Sequence, residues 1–357
     1  MSQILYLYAT IRTYEDYINI VEERLNEEDE LLARLEHNET SYALHNRQTL
    51  DISMLSNEVY KSLFKFTFRE HKIVSSALGF PENVSFRQHT RQRFSLDRHL
   101  SLAIMLRRLA YPSKLLDLEL LFGIDKATIS TVFNTMIEIL NYNYEEGITF
   151  IAKHLHSFNL QRFAEATERK GSCFAGVIGF VDGTLNGVAR PSEYQEILYN
   201  GHVTYHGLNG PFAGAMHDQA VIVSSGIMDD LRKCLDPRET GGELYAIYGD
   251  PTYVESDILI KPFRTGAQMH RLDNEVNYVM SKLGIIVEWG FGHVANFFAF
   301  LKYKPGQKML LSRCALFYKI GTLMKNIHIC VNGKQSSSYF GISPPTLEAY
   351  MDEIRAK

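Results

Sequence analysis

The sequence predicts an α+β protein in which a helical first part precedes a part that mixes strands with helices. Before about residue 170, apolar side chains recur at helical spacing, and beyond it short apolar runs alternate with Gly and Pro. The composition agrees with a globular protein, because 45% of the 357 residues are hydrophobic and 22% are charged. A largely disordered chain is therefore excluded.

Charge is distributed unevenly along the chain. The net charge is −4, but residues 15–39 alone carry −8, whereas 87–108 carry +5 and 289–347 carry +7. A single basic run is usually a solvated face. Two basic runs that flank a set of acidic residues favour a protein that contacts nucleic acid.

The cysteines and the apolar runs exclude several classes of protein. Four cysteines are scattered without a CxxC spacing, which excludes a disulfide scaffold and a zinc ribbon and is typical of a reducing compartment. No apolar run approaches the roughly 18 residues that a membrane span needs, and no secretory leader follows Met1. We expect a protein that is neither secreted nor embedded in a membrane.

We predict three regions along the chain. Residues 1–85 form an acidic helical region, with leucines at helical spacing among Glu and Asp. Residues 86–165 form a second helical domain. Residues 166–357 form the domain that holds the strands and ends in a basic tail.

The second region predicts a helix-turn-helix. Its spacing favours helices over Leu100–Ala110, Lys114–Phe122 and Lys126–Asn141, each bounded by residues that start or stop helices. Ser113 and Asp125 are candidate caps, and Gly123 suits a left-handed turn.

In a DNA-binding helix-turn-helix the second helix enters the major groove with its first residues. These would be Lys126, Thr128, Ser130 and Thr131. Because this helix carries only one cation, a plain pair of packed helices is an equally good interpretation.

The third region predicts two strands and a long helix. Val177–Val181 and Leu244–Tyr248 are short apolar runs that suit buried strands, and a helical pattern runs from Arg271 towards Phe297. Strands followed by helices favour an α/β or an α+β arrangement.

Three carboxylates occupy notable places in these elements. Asp182 and Asp250 follow the two predicted strands, and Glu288 lies on the long helix. Carboxylates that converge at strand ends repel one another unless cations neutralise them, and ligands that are all oxygen favour Mg²⁺ or Mn²⁺. Spacing alone favours the alternative that both aspartates are turn residues beside Gly and Pro.

The residues around these carboxylates resemble the DDE endonuclease domain of PIF/Harbinger transposases and the nucleases derived from them. The resemblance covers roughly residues 90 to 350. It is carried by five motifs in a fixed order and by a similar tail: Val181-Asp182-Gly183-Thr184, Tyr199-Asn200-Gly201-His202, His217-Asp218, Tyr248-Gly249-Asp250-Pro251-Thr252-Tyr253, Val287-Glu288-Trp289-Gly290-Phe291-Gly292, and Ser338 to Leu347.

The resemblance implies an RNase H-like domain that cleaves and joins DNA strands with divalent metal. It implies Asp182, Asp250 and Glu288 as the catalytic and metal-binding residues, with His217 and Asp218 near the site. It further implies action in the nucleus, with the cytoplasm as the second possibility, and a separate Myb-like DNA-binding protein as partner. A homo-oligomer is a further expectation.

One departure from the family pattern bears on activity. Only 15 positions separate His202 from His217, and members of the family usually carry a longer segment there. The shortened segment predicts that a central strand is missing, which would disturb the sheet that positions Asp182. The alternative function is therefore an inactive, transposon-derived module that binds DNA or protein.

Phosphate contacts need positive charge but carry no sequence information. On this ground the DNA-binding residues are predicted to be Arg87, Arg91, Arg93, Lys126, Lys302, Lys304 and Lys308.

Overall fold

The fold was examined in a computed structural model of the chain. It describes residues 49–87, 92–183, 185–190, 199–200, 205–209, 212–213, 218–266, 269–308, 312–333 and 335–355. The predicted acidic helical stripe, Arg91, His202 and His217 lie outside these residues. The chain forms two compact units: unit 1 comprises 1–142, 186–211 and 297–321, and unit 2 comprises the remainder.

Unit 1 is built mainly from helices with one antiparallel hairpin. Its first elements are α1 (Asn57–Phe64), α2 (Phe68–Ala77), β1 (Asn83–Phe86), β2 (Phe94–Asp97), α3 (Arg98–Ala110), α4 (Leu115–Phe122) and the start of α5 (Lys126–Thr149). Helix α3 begins two residues before the predicted helix, because the Asp97 side chain accepts hydrogen bonds from the backbone of His99 and Leu100.

The turn between α4 and α5 follows the sequence prediction closely, with one correction. Gly123 ends α4 in the left-handed conformation at φ 67°, and Asp125 Oδ1 accepts the Thr128 N–H at 2.8 Å. The predicted cap at Ser113 is wrong. Lys114 is the capping residue, because Asp117 reaches back to its backbone N–H. Helix α5 also continues to Thr149, eight residues past the predicted end at Asn141.

Aromatic side chains dominate the core of unit 1. Phe133 on α5 packs against Phe317 at 5.2 Å between ring centroids and against Phe300 at 5.8 Å. Phe64 and Phe122 are fully buried and pair at 6.3 Å. Such rings bury large apolar areas, so this cluster fixes the helices that surround it.

Three short strands form a separate small sheet. They are β4 (Leu185–Gly187), β5 (Tyr199–Asn200) and β6 (Tyr205–Asn209), in the order β4-β6-β5, and β7 (Phe212–Ala213) follows them in the chain. The shortened segment thus contains strands, and in the described part of the chain β5 and β6 pair antiparallel with each other.

Unit 2 contains the parallel sheet and most of the remaining helices. The elements are α6 (Ser157–Arg169), β3 (Val177–Val181), α7 (Asp218–Ser224), α8 (Ile227–Cys234), β8 (Ala246–Gly249), β9 (Leu259–Ile260), α9 (Arg271–Phe297), α10 (Cys314–Asn332), α11 (Gln335–Phe340) and α12 (Leu347–Arg355). Helix α10 begins in unit 1 and ends in unit 2. The strand predicted over Leu244–Tyr248 begins two residues later, at Ala246.

The parallel sheet is the middle layer of a three-layer arrangement. Its strands run in the order β3-β8-β9, with both pairs parallel. One face packs against α9 through Met280 and Leu283, and the other packs against α6 and α8 through Leu160 and Leu231. This mixture of helices and small sheets agrees with an α+β fold. None of the described helices is long and apolar enough to cross a membrane.

Candidate active site at the carboxyl edge of the parallel sheet

The register of two parallel strands aligns Asp182 with Asp250. The last pair between β3 and β8 joins Val181 to Gly249, and each aspartate is the next residue of its strand. Parallel neighbours lie about 4.8 Å apart, so the two aspartates leave the same edge of the sheet side by side.

The alternation of side chains indicates which face these aspartates take. Phe180 and Tyr248 lie on the α9 face, whereas Val181 and Ile247 lie on the opposite face. Because successive strand residues alternate, extending each strand by one further position brings its aspartate back to the α9 face. Asp182 is half-buried there, and Asp250 is exposed.

Helix α9 runs along this face towards the same edge. Met280 Sδ lies 3.7 Å from the Ser172 hydroxyl, before β3 begins, and one turn later Gly284 faces the Phe180 ring. Glu288 follows after one more turn, a rise of about 6 Å in the direction of the aspartates. Its side chain is exposed, as is that of Trp289.

Each aspartate is fixed by a local hydrogen bond. Asp182 Oδ1 accepts the Gly183 N–H at 2.8 Å, and Asp250 Oδ1 accepts the Thr252 N–H at 2.8 Å. The second contact is the Asx turn that the sequence alternative predicted. A carboxylate keeps a second oxygen and further lone pairs when one oxygen accepts a backbone N–H, so the turn and a metal are compatible.

Gly249 is required by close packing immediately before Asp250. A Cβ atom at this position would lie 2.7 Å from the Tyr253 ring and 3.1 Å from Val181 Cγ1. Tyr253 is buried in the core beneath the turn. The missing side chain therefore lets the turn close over this ring and sets the position of Asp250.

The start of α7 adjoins the turn after Asp250. Gln219 Oε1 accepts the Val254 N–H at 2.8 Å, which ties the first turn of α7 to the loop that follows Asp250. Asp218 is the first residue of α7. Sequence reasoning singled out the His217-Asp218 pair and missed the role of Gln219, which an amide next to that pair could have signalled.

The described residues contain no group of three or more His, Cys, Asp or Glu side chains close enough together to hold a metal ion. The structure therefore aligns Asp182 with Asp250 through the sheet, and it does not bring Glu288 into a ligand set with them.

The matched segment of the chain begins at the first of these aspartates. Residues 182–332 match a family model. That family is the DDE superfamily endonuclease. The matched region includes Asp182, Asp250 and Glu288 and covers less than half of the chain. The resemblance seen in the motifs is confirmed at the level of the DDE superfamily, and the Harbinger subgroup stays a prediction. No curated protein and no solved structure matched the chain.

The cations predicted to contact DNA lie in unit 1 and differ in how free they are. Arg93, Lys126, Lys302, Lys304 and Lys308 are exposed. Arg87, in contrast, donates hydrogen bonds to the Thr131 hydroxyl at 2.9 Å and to Gln92 Oε1 at 3.0 Å.

Thr131 was predicted at the reading end of α5, yet it is only 4% exposed. Its burial and its bond to Arg87 make it a packing residue. Burial of the first turn of α5 could not be read from the spacing that predicted the helix.

Proposed function

We propose that unit 2 is a metal-dependent nuclease domain that cleaves phosphodiester bonds of DNA, with Asp182, Asp250 and Glu288 as its metal-binding and catalytic residues. The single observation that carries the proposal is the parallel register. It aligns Asp182 with Asp250 at the sheet edge where the DDE endonuclease match begins.

The donor set suits Mg²⁺ or Mn²⁺, because all three groups are carboxylates. Asp182 and Asp250 would hold the cation from the strand ends, and Glu288 would complete the set from α9. A bound divalent cation supplies activation of water and stabilisation of the charge on a phosphodiester.

The residues around the carboxylates position them. Gly249 lets the Asp250 turn close over Tyr253, and Gln219 ties that turn to α7. No protein nucleophile is needed, since water or a 3′-hydroxyl would attack in line. The same site would therefore serve hydrolysis and strand transfer.

The test is cleavage of a labelled DNA duplex by the full chain with Mn²⁺ or Mg²⁺. Asp250→Asn keeps the oxygen that accepts the Thr252 N–H and removes the charge, so the turn persists. We expect cleavage to fall by about 100-fold or more while DNA affinity is unchanged. The control is Glu255→Gln, an exposed acid in the same loop. Wild-type cleavage by Asp250→Asn would remove Asp250 from the mechanism.

A second candidate function is a module that binds DNA or protein without cleaving. Two observations on the described residues favour it: no group of three metal-binding side chains forms, and β3 lies at the edge of its sheet. A central strand missing beside β3 would leave Asp182 less firmly positioned. This function predicts cooperative thermal unfolding whose midpoint does not change with Mn²⁺, because a ligand raises the midpoint only when it binds the native state.

The finer assignments belong to the same proposal. We infer that the α4-turn-α5 segment is a helix-turn-helix that contacts DNA through Lys126 and the exposed cations named above. A nuclear location, a Myb-like partner protein and self-association follow from the Harbinger resemblance. Gel-shift and co-precipitation experiments with the full chain would test them.

A further inference from the structure

Three cations converge on one aromatic segment of unit 1. The Arg108 guanidinium lies 4.8 Å from the Phe133 ring centroid and 5.4 Å from that of Phe300. Lys65 Nζ lies 5.7 Å from the centroid of Phe297, three residues earlier in the same segment. Arg107, on α3 beside Arg108, is close enough to Lys65 to lower the pKa of that lysine after burial has done so.

These cations lack anionic partners in the part of the chain that the structure describes. Arg108 Nε, Arg108 Nη1 and Arg107 Nε are buried and have no hydrogen-bond partner there. Burial lowers the pKa of Arg108 to about 10 and also lowers that of Arg107. A guanidinium with unmade hydrogen bonds in a desolvated place is costly, so this arrangement calls for an acceptor.

Two features of the fold offset part of this charge. Lys65 caps the C-terminus of α1, and Arg107 and Arg108 lie in the last turn of α3, so each helix end contributes about −0.5 charge. The rings of Phe133 and Phe300 add cation–π attraction. Against three positive charges these terms leave a local excess of about +2, which a phosphate group would neutralise.

We propose that Lys65, Arg107 and Arg108 form a phosphate-binding site in unit 1. All three side chains are half-buried, so each keeps contact with solvent through which a phosphate can reach it. The phosphate is either free inorganic phosphate or one group of a nucleic-acid backbone. The site is independent of the nuclease proposal, since it involves none of the carboxylates of unit 2 and needs no metal.

The test compares thermal unfolding of the full chain in sodium phosphate and in sodium chloride at equal ionic strength, without divalent metal. Wild type should show a saturable rise in midpoint that only phosphate produces. Lys65→Asn removes one cation, and Asn tolerates the left-handed conformation at φ 69°, so folding is preserved. We expect its apparent Kd for phosphate to rise about tenfold or more. The control is Lys61→Gln, an exposed lysine one turn earlier on α1.

Arg108→Met provides a second, independent variant. Methionine fills apolar space among the phenylalanines without leaving a buried charge, so the variant should unfold at a higher midpoint than wild type in chloride. It should also lose the phosphate response. Two results would overturn the proposal: equal midpoints for wild type in phosphate and chloride, or a full phosphate response in Lys65→Asn and Arg108→Met.

Duplex DNA binding separates the two sources of the phosphate. If the site holds a backbone phosphate, Lys65→Asn weakens DNA binding and lowers the dependence of log K on log salt by about one contact, whereas Lys61→Gln does not. If it holds free phosphate, both variants bind DNA equally and only the phosphate response is lost. Neither outcome depends on cleavage, so a failed nuclease assay would leave this result intact.

Discussion

The two units of the chain handle charge in opposite ways. In unit 1, cations lie among aromatic rings inside a helical fold, and Arg108 has buried donors without partners among the described residues. In unit 2, the acids of the candidate site lie at the open edge of a parallel sheet, where Asp250 and Glu288 are exposed. Buried unpaired cations point to a missing anion, whereas exposed carboxylates at strand ends point to a cation that solvent can deliver.

The difference also concerns what holds the charged groups. The cations of unit 1 are fixed by burial of their stems, so packing and charge change together when one is replaced. The aspartates of unit 2 are fixed by backbone register and by short turns, so their charge can be removed with little change in packing. Variants can therefore separate chemistry from stability in unit 2 more cleanly than in unit 1.

The largest expected effect is on cleavage. Asp182→Asn should abolish metal-dependent cleavage as fully as Asp250→Asn, because the register aligns the two groups. Cleavage of a labelled duplex measures the effect, and a melting curve verifies that the variant is folded. Full activity in one of the two variants would break the pairing on which the site rests.

A packing change next to the site should have the next largest effect. Gly249→Ala would push a methyl group against Tyr253 and Val181, and we expect it to lower the free energy of unfolding by about 1–3 kcal/mol. The displaced turn should also weaken metal binding. Urea denaturation and calorimetry measure the two effects. The site does not depend on this close contact if both quantities are unchanged.

Acid should destabilise unit 1 through His71. This side chain is fully buried on α2, where burial, and to a lesser extent the neighbouring His99, lower its pKa to about 3. Its Nε2 bonds the His99 backbone carbonyl at 3.1 Å, the Tyr60 ring packs edge-on at 5.6 Å, and Asp97 is the nearby acid.

The unfolded chain binds this proton at its ordinary pKa of 6.5, so the unfolded state gains protons first as the pH falls. Stability from neutral His71 is therefore complete above about pH 6.5 and is lost towards pH 3, at up to about 1.4 kcal/mol per pH unit. His71→Phe should flatten this part of the pH profile in urea denaturation, and His156→Gln, an exposed histidine, should not. An unchanged profile in His71→Phe would assign the acid sensitivity to other groups.

A smaller effect separates a packing arginine from an exposed one. Arg87→Gln removes a donor from the buried Thr131 hydroxyl and should cost about 1–2 kcal/mol of unfolding free energy. Arg93→Gln, across the hairpin, should change stability by less than about 0.5 kcal/mol. DNA affinity measured on the same pair shows which arginine contacts phosphate. Equal stability in both variants would contradict a packing role for Arg87.

The smallest expected effect is a gain in stability. Gly290 lies on α9 beside Trp289, and a Cβ atom there would meet nothing within 4 Å. Gly290→Ala should raise the unfolding free energy by about 0.5–1 kcal/mol, because alanine favours the helix. Compared with Gly249→Ala, the opposite sign would show that only the glycine before Asp250 is needed for close packing. Destabilisation by Gly290→Ala would contradict this assignment.

Local features of the fold were predictable from the sequence, and long-range pairing was not. The strand over Val177–Val181 and the left-handed turn at Gly123 follow from short apolar runs and from glycine at a helix end. The alignment of Asp182 with Asp250 depends on which strands pair and in what register, which no local pattern specifies. For the same reason the burial of Thr131 and the convergence of Lys65 with Arg107 were missed.

The central claim is that the carboxylates of unit 2 bind a divalent cation. The most direct measurement is a Mn²⁺ titration of the folded full chain, followed by calorimetry and by the fluorescence of Trp289, which is 40% exposed beside Glu288. We predict saturable binding in wild type and in Glu255→Gln, and loss of that binding in Asp182→Ala. Undiminished binding in Asp182→Ala, or no binding to a cooperatively folded wild type, would contradict the claim.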